Sequence, residues 1–167
     1  MIDDILDALI AALQADTNLP EPIATYHKVE GMVQGLDTTC SVWVPKVSYK
    51  GYTNDYDEAT APIHIGIGVN DMTNETGEAR VRALAEEIRM LLTADNHTLG
   101  GLIDDSFLSD WEFATYNSSQ TGVLHMGEAV WQVVYYAPRS RPVQPCPTMD
   151  EMDFDETILT DTETIGG

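Results

Sequence analysis

The sequence predicts an α+β fold: a mostly antiparallel sheet of about four or five strands packed against two amphipathic helices, plus an extended C-terminal arm. Three patterns carry that expectation. Apolar residues recur at helical spacing twice, over residues 3–15 and 73–93; a period-two alternation runs through residues 62–70; and the composition changes abruptly after residue 137.

The first helix is read from Ile2, Ile5, Leu6, Leu9, Ile10 and Leu13, which fall on one face at steps of three and four. Asp3, Asp4 and Asp7 sit in its first two turns, where the positive end of the helix dipole favours carboxylates, and Thr17-Asn18-Leu19-Pro20 ends it. Residues 21–38 give a mixed signal, with a short strand near Thr25 to Val29 and then the punctuation of Gly31 and Gly35. Thr39 to Val47 is rich in β-formers, but Pro45 cannot donate to a ladder, so the strand there is an edge or carries a bulge. A polar loop rich in Tyr, Asp and Asn covers residues 48–61.

In the strand over 62–70, Ile63, Ile65, Ile67 and Val69 face one side while His64, Gly66 and Gly68 face the other, where the glycines admit a close neighbour. The second helix is read from Val81, Leu84, Ala85, Ile88, Leu91 and Leu92, with Glu78 and Arg82 forming an i,i+4 pair on its outer face. A Leu99-Gly100-Gly101 turn follows. Phe107 to Thr115 and Val123 to Tyr136 then read as a long antiparallel hairpin, and the second of these strands, lacking a plainly polar face, is expected to be central.

A chain of 167 residues suits one domain with tails, divided here into a folded domain at 1–137 and an arm at 138–167. The arm opens with Pro138, Pro142, Pro145 and Pro147 and continues through Asp150, Glu151, Asp153, Asp155, Glu156, Asp161 and Glu163 with no base between them. Its apolar anchors, Met149, Met152, Phe154, Ile158 and Leu159, are suited to a neighbouring subunit.

Charge narrows the function. With 28 acidic against 8 basic residues, a formal −20, the surface repels phosphate, which argues against nucleic-acid gripping; such an excess also suits a high-salt host. No segment approaches the roughly 20 apolar residues of a membrane span. The start Met1-Ile2-Asp3-Asp4 lacks the basic n-region of a signal peptide, so the chain is expected to work where it is made, in a host cytoplasm. Cys40 and Cys146 lie far apart without CxxC spacing and read as free thiols.

Catalytic signatures are missing. His27, His64, His97 and His125 are scattered with no ligand at i,i+4, and each reads as a structural or surface histidine. Asp55, Asp57 and Glu58 share a loop without the spacing or glycine of an EF-hand, although a cation there would make the chain a metal enzyme or ligand-binding domain. No GxSxG or GK[ST] occurs, Gly66-Ile67-Gly68 lies inside a strand, and Asp104-Asp105 and Glu86-Glu87 point apart. The sequence therefore predicts no enzyme, no catalytic residue, no metal and no cofactor. Read as a nucleic-acid mimic, the arm would block a DNA-binding enzyme instead.

The order helix, edge strands, alternating strand, long helix, Leu-Gly-Gly turn and hairpin resembles the tail terminator, or tail completion, proteins of long-tailed phages and related viruses. The resemblance rests on the helix Ile2-Asp3-Asp4-Ile5-Leu6-Asp7-Ala8-Leu9 and the strand Pro62-Ile63-His64-Ile65-Gly66-Ile67-Gly68-Val69. It continues through the helix Val81 to Leu92 running into Asn96-His97-Thr98-Leu99-Gly100-Gly101-Leu102-Ile103-Asp104, and the ending Val133-Val134-Tyr135-Tyr136-Ala137. Segments 18–38 and 138–167 depart from the family pattern.

The resemblance implies a virion protein at the head–tail junction: a ring, typically a hexamer, that caps the tail tube, ends its polymerisation and meets the head-side connector, with DNA passing through without specific binding. The implied partners are other copies of the chain, the tail tube protein and connector or neck proteins; a connector, neck or adaptor ring is the alternative. Contact candidates are Tyr52, Asp55, Tyr56 and Asp57 in the 48–61 loop, Leu99 and Gly100 in the 98–102 turn, and Ser118 and Gln120 in the 117–122 loop. Arg139 and Arg141 are placed to grip a neighbour's carboxylates, and Met152 and Phe154 anchor the arm.

Overall fold

The computed structural model describes residues 1–31, 37–95, 97–118 and 122–139. It is α+β, with helices α1 (Ile2–Ala15) and α2 (Asn74–Met90) on a seven-stranded sheet. The strands are β1 (Thr25–His27), β2 (Thr39–Trp43), β3 (Ser48–Gly51), β4 (Tyr56–Asp71), β5 (Asp105–Leu108), β6 (Glu112–Ser118) and β7 (Gly122–Pro138). The arm, from residue 140 on, lies outside the described residues.

The sheet is built on a ribbon. β4 and β7 pair antiparallel without a slip from Tyr56 opposite Pro138 to Asp71 opposite Val123. Each long strand carries two short ones on its outer side. β2 and β3 pair residues 64–68 and 57–60 of β4, and β5 and β6 pair residues 131–134 and 122–128 of β7. β1 adds in parallel outside β2.

The short strands are interrupted for a countable reason. Residues 44–47 face only residues 61–63 of β4, and residues 109–111 face only residues 129–130 of β7, one surplus residue in each case. One surplus residue is a bulge, which kinks and twists its strand. Pro45 and Pro62 both fall at the first break, where a missing N–H disturbs a ladder least. At the second, the Ser109 N–H donates to the Val130 carbonyl (2.8 Å) and the Val130 N–H donates to Ser109 Oγ (2.9 Å).

One face of the ribbon is core. Ala59, Ala61, Ile63, Ile65, Ile67 and Val69 of β4 alternate inward beside Ala129, Trp131, Val133 and Tyr135 of β7, all buried. Ile5, Leu6, Leu9 and Leu13 of α1 and Val81, Leu84, Ala85 and Ile88 of α2 join them in one cluster. Each fully buried aliphatic side chain contributes about 1.5–3 kcal/mol, so this face anchors both helices. The Glu78–Arg82 pair expected on α2 is present, at 2.9 Å.

The entry to α2 is tied twice. Arg80 bridges Glu21 (2.7 Å) and Asp71 (3.1 Å), Thr38 Oγ1 donates to the same Glu21, and the Thr73 N–H donates to Asp71 Oδ1. These bonds hold the segment after α1 to the end of β4. Gly77, in the first turn of α2, leaves the space that the fully buried His125 ring of β7 occupies; a Cβ there would overlap the ring.

Several sequence expectations need correction. The sheet has seven strands, not four or five. Residues 48–61 are β3, a tight turn over 52–55 and the start of β4 rather than one loop, because a ladder partner extends strands whose side chains show no apolar alternation. β2 is not an edge, since β1 covers it, whereas β3 is; the bulge is the alternative that holds. Residues 107–115 are two strands. The second helix stops being α at Met90 and widens into a π turn over Leu91–Asp95. β7 is central because both its edges are paired, yet its faces differ: from Gly127 to Tyr135 buried and part-exposed residues strictly alternate.

Candidate assembly surface

The helices cover one face of the ribbon and leave the other part-exposed. On that open face Trp43 stacks on His64 with ring centroids 5.0 Å apart, and His64 Nδ1 lies 2.8 Å from Glu128 Oε1. The pair joins residues 64 positions apart, and no sequence spacing announces it. A histidine beside a carboxylate is the base half of nucleophilic hydrolases. Among the described residues no hydroxyl is hydrogen-bonded to the ring: Ser41, on the same face of β2, is fully buried and its Oγ has no hydrogen-bond partner there.

Cys40 lies on the core side of β2, and burial pushes its thiol up to about 12, away from any thiolate role. Among the described residues no three His, Cys, Asp or Glu side chains gather to hold a metal; Asp57, in the suspected cation loop, is bridged to Arg139.

The far end of the ribbon collects the sequence-predicted contact residues. Backbone N–H groups of Tyr52 and Thr53 donate to the Tyr56 carbonyl (3.3 and 3.0 Å), closing a tight turn between β3 and β4. Tyr52 and Tyr56 are exposed, and Tyr52 packs on Tyr136 with centroids 4.7 Å apart. Arg139 Nε and Nη2 both donate to Asp57 Oδ1 (2.8 and 2.6 Å), and the Arg139 N–H donates to the Asp55 carbonyl (2.8 Å). Gly51 makes room, since a Cβ there would meet Arg139 Nη2 at 2.6 Å. Arg139 therefore grips a carboxylate of its own chain. Burial raises the Tyr135 hydroxyl to about 12, assisted by Tyr49.

The structure does not bring all the candidates together. Leu99 is buried in the core cluster rather than exposed, with its own backbone at φ 45; Gly100 beside it, at φ 69, is exposed. Ser118 closes β6 opposite Gly122, distant in register from the tyrosine end. Gln120, Arg141, Met152 and Phe154 lie outside the described residues.

What sequence reasoning missed is the sheet's two outer edges. Among the described residues β3, exposed along its length, has β4 on one side and no strand on the other, and β5 and β6 likewise pair only β7. The edges differ in charge. Of the seven described Lys and Arg residues, Lys28, Arg80, Arg82, Arg89 and Arg139 are bridged to carboxylates, leaving Lys46 and Lys50, both exposed, at the β3 edge. The opposite edge carries exposed Asp104, Asp105, Asp110 and Glu112, with Phe107 72% exposed between them. Pairing register, invisible before strand partners are known, is what separates these groups.

No protein-family model matches this sequence, and no curated protein sequence does. Among solved structures, the chain is similar to one in the virion of a native gene transfer agent particle, at 14% identity and TM-score 0.47 over 78% of this chain and 93% of that one. It is also similar to the PVC sheath/tube terminator of an extracellular contractile injection system in the extended state, at 12% identity and TM-score 0.36 over 86% of this chain and 61% of that one. The type 4 fimbrial biogenesis protein PilO from Pseudomonas aeruginosa is similar at 13% identity and TM-score 0.25 over 57% of each chain. At these values the likenesses assign no function.

Proposed function

We propose that this chain is a structural virion protein of a tailed virus: a subunit that closes head to tail into a ring, six-fold as in the family its sequence resembles, caps the tail tube, stops its growth and meets the head-side connector. It does this by matching surfaces, with no covalent step. The observation that carries the reading is an unbroken ribbon whose two outer edges, among the described residues, lie on opposite sides and differ in sequence and charge. Unlike edges favour heterologous contacts, which close into rings when the rotation allows. The formal −20 supports the same reading, because a negatively charged channel lets DNA slide without sticking.

The test is native mass spectrometry of the purified chain across a salt series, followed by its addition to growing tail tubes of the same particle. A closed oligomer that increases as salt screens the charge, together with tubes of arrested length, is the expected result. A chain that assembles on filled heads and ignores tubes is a connector ring instead. A chain that stays monomeric and binds neither overturns the proposal.

A further inference from the structure

We infer that neighbouring copies join by sheet continuation, with the β3 edge of one copy pairing antiparallel to the β5 edge of the next. The inference rests on the ring reading above and names its interface. β3 and β5 are the same length, four residues each, and among the described residues neither has a strand on its outer side. They also sit at nearly the same level of the ribbon. β3 lies beside residues 57–60 of β4, and β5 beside residues 131–134 of β7, which face residues 60–63 of β4. The strands are offset by three residues, and setting Lys50 beside Asp105 leaves a stagger of two between neighbouring copies, because Lys50 lies beside Glu58 and Asp105 beside Val134, which faces Thr60. An even shift of this kind keeps side chains on their own face while the sheet curves around an axis.

Direction and facing agree as well. β3 runs antiparallel to β4 and β5 runs antiparallel to β7, so copies standing the same way up present β3 and β5 to each other antiparallel. Side chains must keep to their own face in a continued sheet. Lys50, paired with Glu58, and Asp105, paired with Val134, both belong to the open face. A register with Lys50 opposite Asp105 of the next copy therefore also sets Tyr49 opposite Ser106 and Ser48 opposite Phe107, covering an aromatic ring that is 72% exposed in the single chain.

Charge makes the join selective. A lysine on an open edge ordinarily guards against pairing. Two β3 edges would oppose lysines and two β5 edges would oppose aspartates, so both two-fold joins carry like charges face to face; only β3 against β5 pairs opposite ones. This excludes closed dimers and leaves the head-to-tail arrangement. Lys46 and Lys50 are the unbridged bases among the described residues, in a chain with 28 acids, and they sit on this edge.

The experiment uses the full chain, on tail tubes if rings close only there. K46E/K50E alone and D104K/D105K alone are each expected to lose the ring species at least tenfold, while an equimolar mixture restores it as alternating copies; circular dichroism checks that both variants fold. Lys50→Cys with Asp105→Cys, in a Cys146→Ser background, reports the register. Within one copy the two positions are separated by the width of four strands, about 14 Å, too far for a disulfide. Oxidation is expected to give a covalent ladder ending at the ring, with neither single-cysteine variant extending beyond a dimer. Wild-type rings that tolerate the charge reversals, or that give no ladder, overturn the inference and leave the ring reading standing. A wild-type chain that never closes, alone or on tubes, removes both.

Discussion

At the scale of single residues, the chain uses small and buried groups to fix geometry. Gly77 would normally weaken a helix by about 1 kcal/mol against Ala, yet its missing side chain is where the His125 ring sits. Gly77→Ala is therefore expected to lower stability by about 1–3 kcal/mol, the usual cost of overpacking, in urea unfolding; a variant as stable as wild type would show that the ring moves aside freely. Cys40 is expected to resist iodoacetamide in the folded protein and to react only on unfolding, since its raised pKa and burial withhold the thiolate. Peptide mapping at that residue checks it. Cys40 was readable as a free thiol, although its burial was not. Gly77 was not readable at all, because the ring that explains it arrives from another strand, 48 positions away at His125.

At the scale of elements, legibility followed apolar periodicity. The stripe Ile5, Leu6, Leu9 and Leu13 and the alternation Ile63, Ile65, Ile67 and Val69 were readable because each has a single buried face, and both helices and the centre of β4 lie where those patterns put them. β3 was invisible: Ser48, Tyr49, Lys50 and Gly51 are all exposed, and only the backbone ladder to β4 makes them a strand. Leu99 was misplaced for the opposite reason, since glycine-rich neighbours suggested surface while the leucine itself turned inward. Ile65 belongs to the readable kind. Ile65→Ala is expected to cost about 2–5 kcal/mol in chemical denaturation, whereas Ser48→Ala, on the exposed β3, stays within about 0.5 kcal/mol. Equal effects would mean that the ribbon's inner face is not the core.

At the scale of the whole molecule, electrostatics set the conditions of use. The bonds at Asp71 hold its carboxyl below the ordinary value of 3.8, first through the Thr73 N–H and then through Arg80. A folded-state pKa below the unfolded one gives stability that is present above 3.8 and lost as pH falls through the lowered value. Asp71→Asn is therefore expected to be less stable than wild type at neutral pH, with the gap closing as pH drops below 3.8; thermal unfolding across pH reads it, and a gap constant down to acid pH would assign the effect to shape instead of charge. The −20 total was plain from composition. Its distribution over the two edges was not, because charge placement depends on a register that only the fold supplies.

The unbroken β4–β7 pairing has a mechanical meaning. Ladder hydrogen bonds run across strands, so tension drawn from the β3 side to the β5 side enters the β4–β7 pairing at residues 57–63 of β4, and residues 64–71 continue the same ladder behind them without a break. A pairing only as long as the loaded stretch would have nothing behind it; this one carries its seam well past the pull, as a hem is sewn beyond the point where the cloth is tugged.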